Sequence, residues 1–457
     1  QPRSFYEAHK RVYPRSISGL FMRWRWASVF LTQIIFYGLP WLEWGQRQMV
    51  LFDLGARRFY LFGYVLYPQD FIYLTGLLII SALALFLFTA VAGRLWCGFT
   101  CPQTVYTEIF MWIEHKVEGD RSARIRLDNG PWTFEKTWKK SLKQLVWITV
   151  SFWTGFTFVG YFVPIRELGG ELMSLHGSWQ IFWVLFYGFA TYGNAGYMRE
   201  QVCKYMCPYA RFQGVMFDPD TLVITYDPER GEPRGPRKKG IDLKVAGKGD
   251  CVDCGICVQV CPTGIDIRDG LQYECIGCAA CIDACDQVME KMDYPKGLIR
   301  YTTENAMKRH WGRKEIIGHM MRPRIIIYAT VLVALCVALV WGLATRSTLR
   351  VDVLKDRSTL SREVEGGLIA NVYNLQVMNM TEGPRRFALS VSGLDGVQIS
   401  PKEPFEVDAA GMKSVTVEVA VPPESGKPGS NTVYIEVKAL DDETVTVREK
   451  TSFLMPR

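Results

Sequence analysis

The stretch 251-CVDCGICVQVCPTGIDIRDGLQYECIGCAACIDAC-285 holds eight of the chain's thirteen cysteines. Cys251, Cys254, Cys257 and Cys261 are spaced C-x2-C-x2-C-x3-C, with Pro262 after the last; Cys275, Cys278, Cys281 and Cys285 repeat the spacing with Asp286 in place of the proline. Four more cysteines form close pairs in 97-CGFTCP-102 and 203-CKYMCP-208, and Cys336 stands alone. Clustering at ligand spacing argues for cofactor binding in a reducing compartment rather than for disulfides.

The doubled spacing is that of bacterial two-cluster ferredoxins, in which the fourth cysteine of each run serves the other cluster. One [4Fe-4S] cluster then takes Cys251, Cys254, Cys257 and Cys285, and the other Cys275, Cys278, Cys281 and Cys261. Gly255, Gly264 and Gly277 are expected to relieve crowding where backbone meets cluster. Structural zinc also uses Cys-x2-Cys, but it has no need of this four-cysteine spacing twice over. Asp286 removes no ligand.

Working outward, five apolar stretches approach the roughly 20 residues that cross a bilayer. They lie at about 26–44, 71–93, 142–164, 178–198 and 325–345. Tyr187, Tyr192 and Asn194 turn the fourth toward other helices. Arg3, Lys10, Arg11, Arg15, Arg23 and Arg25 precede the first span. Lys116, Arg121, Arg124, Arg126, Lys136, Lys139 and Lys140 follow the second, whereas only Arg166 lies between the third and fourth. The positive-inside rule makes the N-terminus cytoplasmic and, after five crossings, the tail periplasmic. The segment 46–70 reads as amphipathic and surface-lying. The first span is too long for a signal peptide, and no small-residue cleavage site follows it. A net charge of +7, with Lys and Arg concentrated beside the apolar segments, favours a membrane over nucleic acid as the partner.

The resulting organisation is a multi-domain membrane protein. A membrane domain, 1–215, carries four helices; a cytoplasmic two-cluster ferredoxin-like α+β domain covers 216–324; a fifth transmembrane helix covers 325–345; and 346–457 is periplasmic. Runs such as FALSVSGL (387–394), VTVEVAVP (415–422) and TVYIEVKAL (432–440) alternate as strands of a small β-sandwich. The five-helix bundle contains an internal two-helix repeat: two spans, an arginine (Arg94 or Arg199), then Cys-x3-Cys-Pro. The paired cysteines could therefore meet about a pseudo-twofold axis.

Pro102 and Pro208 suit the first position of a helix, which places Cys101 and Cys207 at helix N-termini, where the dipole favours thiolate. Three readings remain open for Cys97, Cys101, Cys203 and Cys207: copper ligands, since thiolates are soft and select Cu(I); ligands of a third cluster; or redox-active or structural thiols. His310, His319, Met320, Met321, Met378 and Met380 are weaker copper candidates and read first as solvated or packed residues. Cys336 reads as a packed residue in an apolar span.

With both Cys-x3-Cys-Pro pairs, the cassette and the run 285-CDQVMEKMDYPKGLIRYTTEN-305, the chain resembles the FixG/CcoG family of cytochrome c oxidase accessory proteins. The resemblance runs from the first span to the terminal domain, and GLIRYTTEN is its most distinctive piece. It implies a bacterial inner-membrane protein that helps assemble the copper site of cbb3-type oxidase, with cupric reductase activity and an immunoglobulin-like domain outside the membrane. The expected partners are the lipid bilayer, copper ion, copper chaperones or oxidase assembly factors, and a cytoplasmic electron donor; a homodimer stays open. No Gly-rich dinucleotide motif follows a predicted strand, so one-electron chemistry is favoured over hydride transfer. Two alternatives compete with the reductase, a quinone-linked electron-transfer protein and a redox-sensing assembly scaffold.

Overall fold

The computed structural model describes residues 11–175, 177–240, 247–356, 361–364, 366–442 and 444–456. Arg3 and Lys10, which contribute to the charge bias, lie outside the described residues. The chain forms two compact units, one of residues 1–43 and 74–337 and one of residues 44–73 and 338–457.

In the first unit the apolar segments are helical. Leu20–Gly38, Phe134–Val159 and Ser178–Thr191 pack through aromatic and hydroxyl contacts, among them Tyr37 Oη to Thr154 Oγ1 at 2.8 Å and Tyr161 Oη donating to the Phe36 carbonyl at 2.8 Å. The first helix sits about six residues earlier than the expected 26–44, and it gives way at Gly38 to a short 3-10 turn over Leu39–Trp41 that carries Pro40. Tyr192 donates to Gln144 Oε1 at 2.7 Å, and the Asn194 carbonyl accepts from Gln103 at 2.9 Å, so the polar face of the fourth segment is turned to its neighbours.

Among the described residues two helices, Pro68–Ala92 and Pro323–Ala344, are long and apolar enough to cross a membrane, and 0% and 6% of their most apolar windows are buried. The other three helices differ in kind. Leu20–Gly38 carries Arg23 and Arg25, Phe134–Val159 carries Lys136, Lys139, Lys140 and Lys143 in its first half, and Ser178–Thr191 has 14 residues before it passes into a π-helical stretch, Tyr192–Met198. Several cations in the positive-inside reckoning have structural partners instead of facing lipid headgroups. Arg25 is buried against Glu108 at 2.8 Å, and Arg124 against Glu114 at 3.1 Å.

The ferredoxin-type segment belongs to this same unit. Val223–Tyr226 pairs antiparallel with Ile299–Thr302, and the helices Ile256–Gln259 and Ala280–Met292 pack beside the pair. It is tied to the first helix by Asp283, which accepts from the amides of Phe21 at 3.2 Å and Met22 at 2.8 Å. A helix of this kind leaves its first amides without intrahelical acceptors, and Gly19 supplies no capping side chain. Asp283 caps it from a distant element. Asp283→Ala should cost about 0.5–2 kcal/mol, read as a lower Tm of the detergent-solubilised chain followed at the iron–sulfur absorbance; Asp283→Asn should recover much of the loss.

The second unit is an immunoglobulin-like sandwich. One sheet runs Gln398–Ser400, Met412–Val421, Leu368–Asn379, Leu349–Lys355, with Arg362–Val364 also on Leu368–Asn379; the other runs Phe405–Val407, Arg385–Ser392, Gly429–Ala439, Thr446–Met455. Alternate residues such as Tyr373, Leu375 and Val377 meet Val433, Ile435, Val437 and Phe453 in the core. The three alternating runs fall on Arg385–Ser392, Met412–Val421 and Gly429–Ala439, each ending one or two residues beyond its strand. The segment expected to lie amphipathically over 46–70 instead forms an antiparallel meander, Val50–Asp53, Arg58–Leu61 and Tyr64–Leu66. It packs on the sandwich through Val65, Tyr67, Met380 and Ala410, and Asp70 pairs with Arg346 at 2.5 Å.

Candidate metal centre

Gly255, with φ 65°, turns the chain through the left-handed region into the short helix that carries Cys257. A side chain on Gly255 would meet open space, so its backbone angle requires the glycine and crowding does not. The second run is built differently. Cys281 and Cys285 lie one turn apart in Ala280–Met292, and a proline after Cys285 would break this helix where Asp286 continues it. Asp286 also accepts from the Gly297 amide at 2.9 Å.

These elements open two cavities. One is lined by Cys251, Cys254, Cys257 and Cys285, with Val288, Met289 and Leu298 as its apolar wall. The other is lined by Cys261, Cys275, Cys278 and Cys281 among Ile224, Ile265 and Ile276, and Cys257 lines both. The fourth cysteine of each run thus faces the other run's cavity. Burial pushes Cys275 and Cys285 up to about 12 and Cys257 to about 11. Four soft sulfur donors in an apolar wall suit iron–sulfur ligation, which draws off the thiol protons on binding.

The four paired cysteines also converge. Cys97 lies in Leu95–Phe99 and Cys203 in the π-helical turn Val202–Met206, while Cys101 and Cys207 immediately precede the helices Pro102–Glu118 and Pro208–Met216. Each thiol is within electrostatic reach of the other three. The helix-start positions are as expected, but the thiolate expectation fails at Cys101. Burial raises its pKa despite the amides of Thr104 and Gln103, and burial likewise carries Cys97 to about 11 and Cys203 to about 12. Desolvation outweighs the dipole here.

Polar links cross between the two repeats. Arg94 of the first donates to the Ala210 carbonyl of the second at 2.5 Å, and Arg199 of the second meets Glu114 of the first at 2.8 Å. Gln103 bridges to the carbonyls of Asn194 and Arg199, and the Cys97 thiol donates to Gln213 Oε1 at 3.4 Å.

This thiol tetrad abuts the second cavity. A Cβ built on Gly98 would lie 2.5 Å from the Gly277 carbonyl oxygen and 2.9 Å from the Cys278 nitrogen, so the Cys97 helix touches the cysteine loop backbone to backbone. Gly277, at φ 69°, in turn lies against the Arg94 backbone. On the other repeat, Lys204 Nζ donates to the Thr263 carbonyl at 3.1 Å. Cys97, Cys203, Cys278 and Cys281 share one apolar cluster.

The weaker copper candidates do not assemble. Met378 and Met380 are packed, with Met380 Sδ accepting from Arg346 at 2.9 Å; His319 stacks on Trp311 at 4.0 Å; and exposed His310 faces Glu229 at 3.8 Å.

Three domain families match this chain: a 4Fe-4S dicluster domain over residues 198–304, a 4Fe-4S binding domain over 74–118, and an IG-like fold at the C-terminal of FixG over 339–456. Nitrogen fixation protein FixG of Rhizobium meliloti is 37% identical over 421 residues, 85% of this chain and 80% of that protein. Protein RdxA of Cereibacter sphaeroides is 40% identical over 405 residues, 86% of this chain and 85% of that protein. This chain belongs to the FixG family. A solved FixG-related protein from Vibrio parahaemolyticus is similar at 21% identity, over 24% of this chain and 98% of that one, with a TM-score of 0.22.

In this FixG-family chain the GLIRYTTEN run has a structural task. Ile299–Thr302 is the strand beside the cavities, Thr303 caps the helix Glu304–Arg309, and Tyr301 Oη donates to the Gly277 carbonyl at 2.6 Å. Gln213 and Asp283 belong to no motif of the sequence, whereas Tyr301 lies in the GLIRYTTEN run and Gly98 aligns with Lys204 of the other repeat, a break in the internal symmetry.

Proposed function

We propose that this iron–sulfur protein of the FixG family is a membrane-bound one-electron reductase that takes Cu(II) to Cu(I), supporting the copper-site assembly of a cbb3-type cytochrome oxidase. In this reading Cys251, Cys254, Cys257 and Cys285 hold one [4Fe-4S] cluster and Cys275, Cys278, Cys281 and Cys261 the other. When bound, such clusters supply one-electron couples that match the copper couple. The supporting observation is the backbone contact of Gly98 with Gly277, which sets the tetrad of Cys97, Cys101, Cys203 and Cys207 directly against a cysteine-lined cavity.

The chain's own residues divide the work. Tyr301 fixes the loop at that contact, Arg94 and Gln103 hold the two repeats together, and the tetrad is the point from which the electron leaves. Copper is the substrate: each Cu(II) gains one electron, drawn from a one-electron donor outside this chain, and no bond to hydrogen is made or broken. The protein lies in a bacterial inner membrane with its N-terminus and its twelve clustered and paired cysteines cytoplasmic and its immunoglobulin-like domain periplasmic, where it docks oxidase assembly factors or copper chaperones.

Dithionite-reduced, chelator-treated protein should return to the oxidised spectrum on addition of Cu(II), forming one Cu(I), read with a colorimetric chelator, per electron lost. Serine at Cys97, Cys101, Cys203 and Cys207 together should slow that return while the ferredoxin-type spectrum persists. Cu(I) formation at an unchanged rate would remove the tetrad from the path, and no Cu(I) at all would remove copper as the substrate.

A further inference from the structure

We infer that the cavity lined by Arg11, Lys136, Lys140, Lys143 and Arg199 binds the headgroup of one anionic phospholipid. This goes beyond the reductase reading and stands whether or not copper is the substrate.

Charge identifies the ligand as an anion. The cavity measures about 580 Å³, within the range of small-molecule sites. Its five cations face two carboxylates, Asp128 and Glu200. Directly behind, Glu114 pairs with Arg11, Arg124, Lys143 and Arg199, and Glu118 with Lys140 and Lys143. Six cations thus share four carboxylates, which leaves the site two charges positive. Lys136 carries part of this surplus. It is buried, makes no ion pair among the described residues, and donates to the carbonyls of Asp128 at 2.9 Å and Gly130 at 2.7 Å. Lys143 and Arg199 both lie over the ring of buried Trp147, at 4.8 and 5.5 Å from its centroid, so two like charges are held side by side. Buried positive charge in excess of its counter-charge is costly, and a phosphodiester supplies what is lacking.

The surroundings of the cavity identify that anion as a lipid. Trp132 lines it, with Lys136 Nζ 5.0 Å from its ring, and Trp132, Phe134 and Trp138 are all exposed at the start of the helix Phe134–Val159. Exposed aromatic residues at the end of an apolar helix mark the headgroup level of a bilayer. Along this helix Lys136 and Trp147 are separated by about 16 Å at 1.5 Å per residue, so the cavity runs from a cationic mouth to an aromatic floor. Tyr197 lies on that floor, where its hydroxyl accepts from Gln144 Nε2 at 3.0 Å. A soluble anion would use the mouth alone, whereas a phospholipid uses both ends. Arg199 leaves the π-helical stretch Tyr192–Met198 at φ 39°, an angle rare for a residue with a side chain. Strain of that kind persists where the surroundings over-determine it, here through Glu114 and Trp147. Basic pockets between helices at a membrane surface are sites for acidic headgroups.

The test uses the full-length, cluster-loaded chain, stripped of lipid in a neutral detergent and then given phosphatidylglycerol, phosphatidylcholine or inorganic phosphate. Native mass spectra should show about one phosphatidylglycerol retained per chain, with a raised Tm, while phosphatidylcholine is lost and inorganic phosphate leaves Tm unchanged. Lys136→Gln should weaken phosphatidylglycerol binding about fivefold with the iron–sulfur spectrum intact. Lys139→Gln, on the same helix but paired with Glu135 outside the cavity, should leave binding as it was. Trp132→Ala, at an exposed position, should also weaken binding, which keeps the site testable if the Lys136 variant misfolds. Equal retention of the two lipids by the wild-type chain overturns the inference, as do equal effects of the Lys136 and Lys139 variants. Equal stabilisation by inorganic phosphate would make this a soluble-anion site and overturn it too. Since none of these measurements involves copper, their failure leaves the reductase reading untouched.

Discussion

Gly98→Ala should slow electron delivery to Cu(II) by an order of magnitude or more while leaving the iron content unchanged. The added carbon would sit 2.5 Å from the oxygen and 2.7 Å from the carbon of the Gly277 peptide, and 2.9 Å from the Cys278 nitrogen. All three are backbone atoms, so no rotamer relieves the clash. Gly277 also lies against the Arg94 backbone at the start of the same short helix, and Tyr301 tethers its carbonyl, so the loop is held against this helix at more than one point. The Cys97 helix and the cysteine loop must therefore separate, at an overpacking cost of about 1–3 kcal/mol. Tunnelling falls exponentially with distance, so the rate responds more sharply than the stability. Stopped-flow reoxidation of the reduced protein measures it, with Gly169→Ala, where a side chain meets open space, as the control. An unchanged rate with full iron content would mean that electrons do not leave through this contact.

The reason such a contact was not legible in the sequence is that it joins residues far apart in the chain. The cysteine spacing was enough to group Cys285 with Cys251, Cys254 and Cys257, because a local rule governs it and the cavity follows that rule. Alternation likewise exposed the long strands of the sandwich, each with one face in the core. Where a local rule met a tertiary one, the tertiary one prevailed. At Cys101 the helix start favours thiolate, but burial overrides it. The arginines 25 and 124 entered the charge bias as free cations, although Glu108 and Glu114 hold them. The 46–70 stretch has a hydrophobic pattern that suits a surface helix, but its turns at Arg57 and Phe62, both at positive φ, fold it into a meander.

Glu114→Gln should be the most destabilising single change in the membrane-proximal half. Glu114 is fully buried and accepts from Arg124 at 3.1 Å, Arg11 at 3.0 Å, Arg199 at 2.8 Å and Lys143 at 3.5 Å. Burial by itself would raise its pKa, but the cations, Arg199 foremost, hold it down at about 2 against an ordinary 4.5. A depressed carboxylate pKa contributes stability that is complete above the unfolded value and drains away as pH falls toward the folded one. Here the window runs from about pH 4.5 down to about 2 and is worth about 3 kcal/mol. Glutamine removes the charge at every pH and leaves the buried guanidinium groups without their common partner, a change that costs about 3–5 kcal/mol. Thermal unfolding of the detergent-solubilised chain should therefore show a lower Tm for the variant at pH 7, with the gap to wild type narrowing as pH falls below about 4.5. Because Arg199 is one of the second repeat's links to the first, its release should also loosen the tetrad before the cassette. Cu(II)-driven reoxidation should slow in the variant while the dicluster spectrum remains, and an equal Tm with unaltered kinetics would show that the repeats are held together elsewhere.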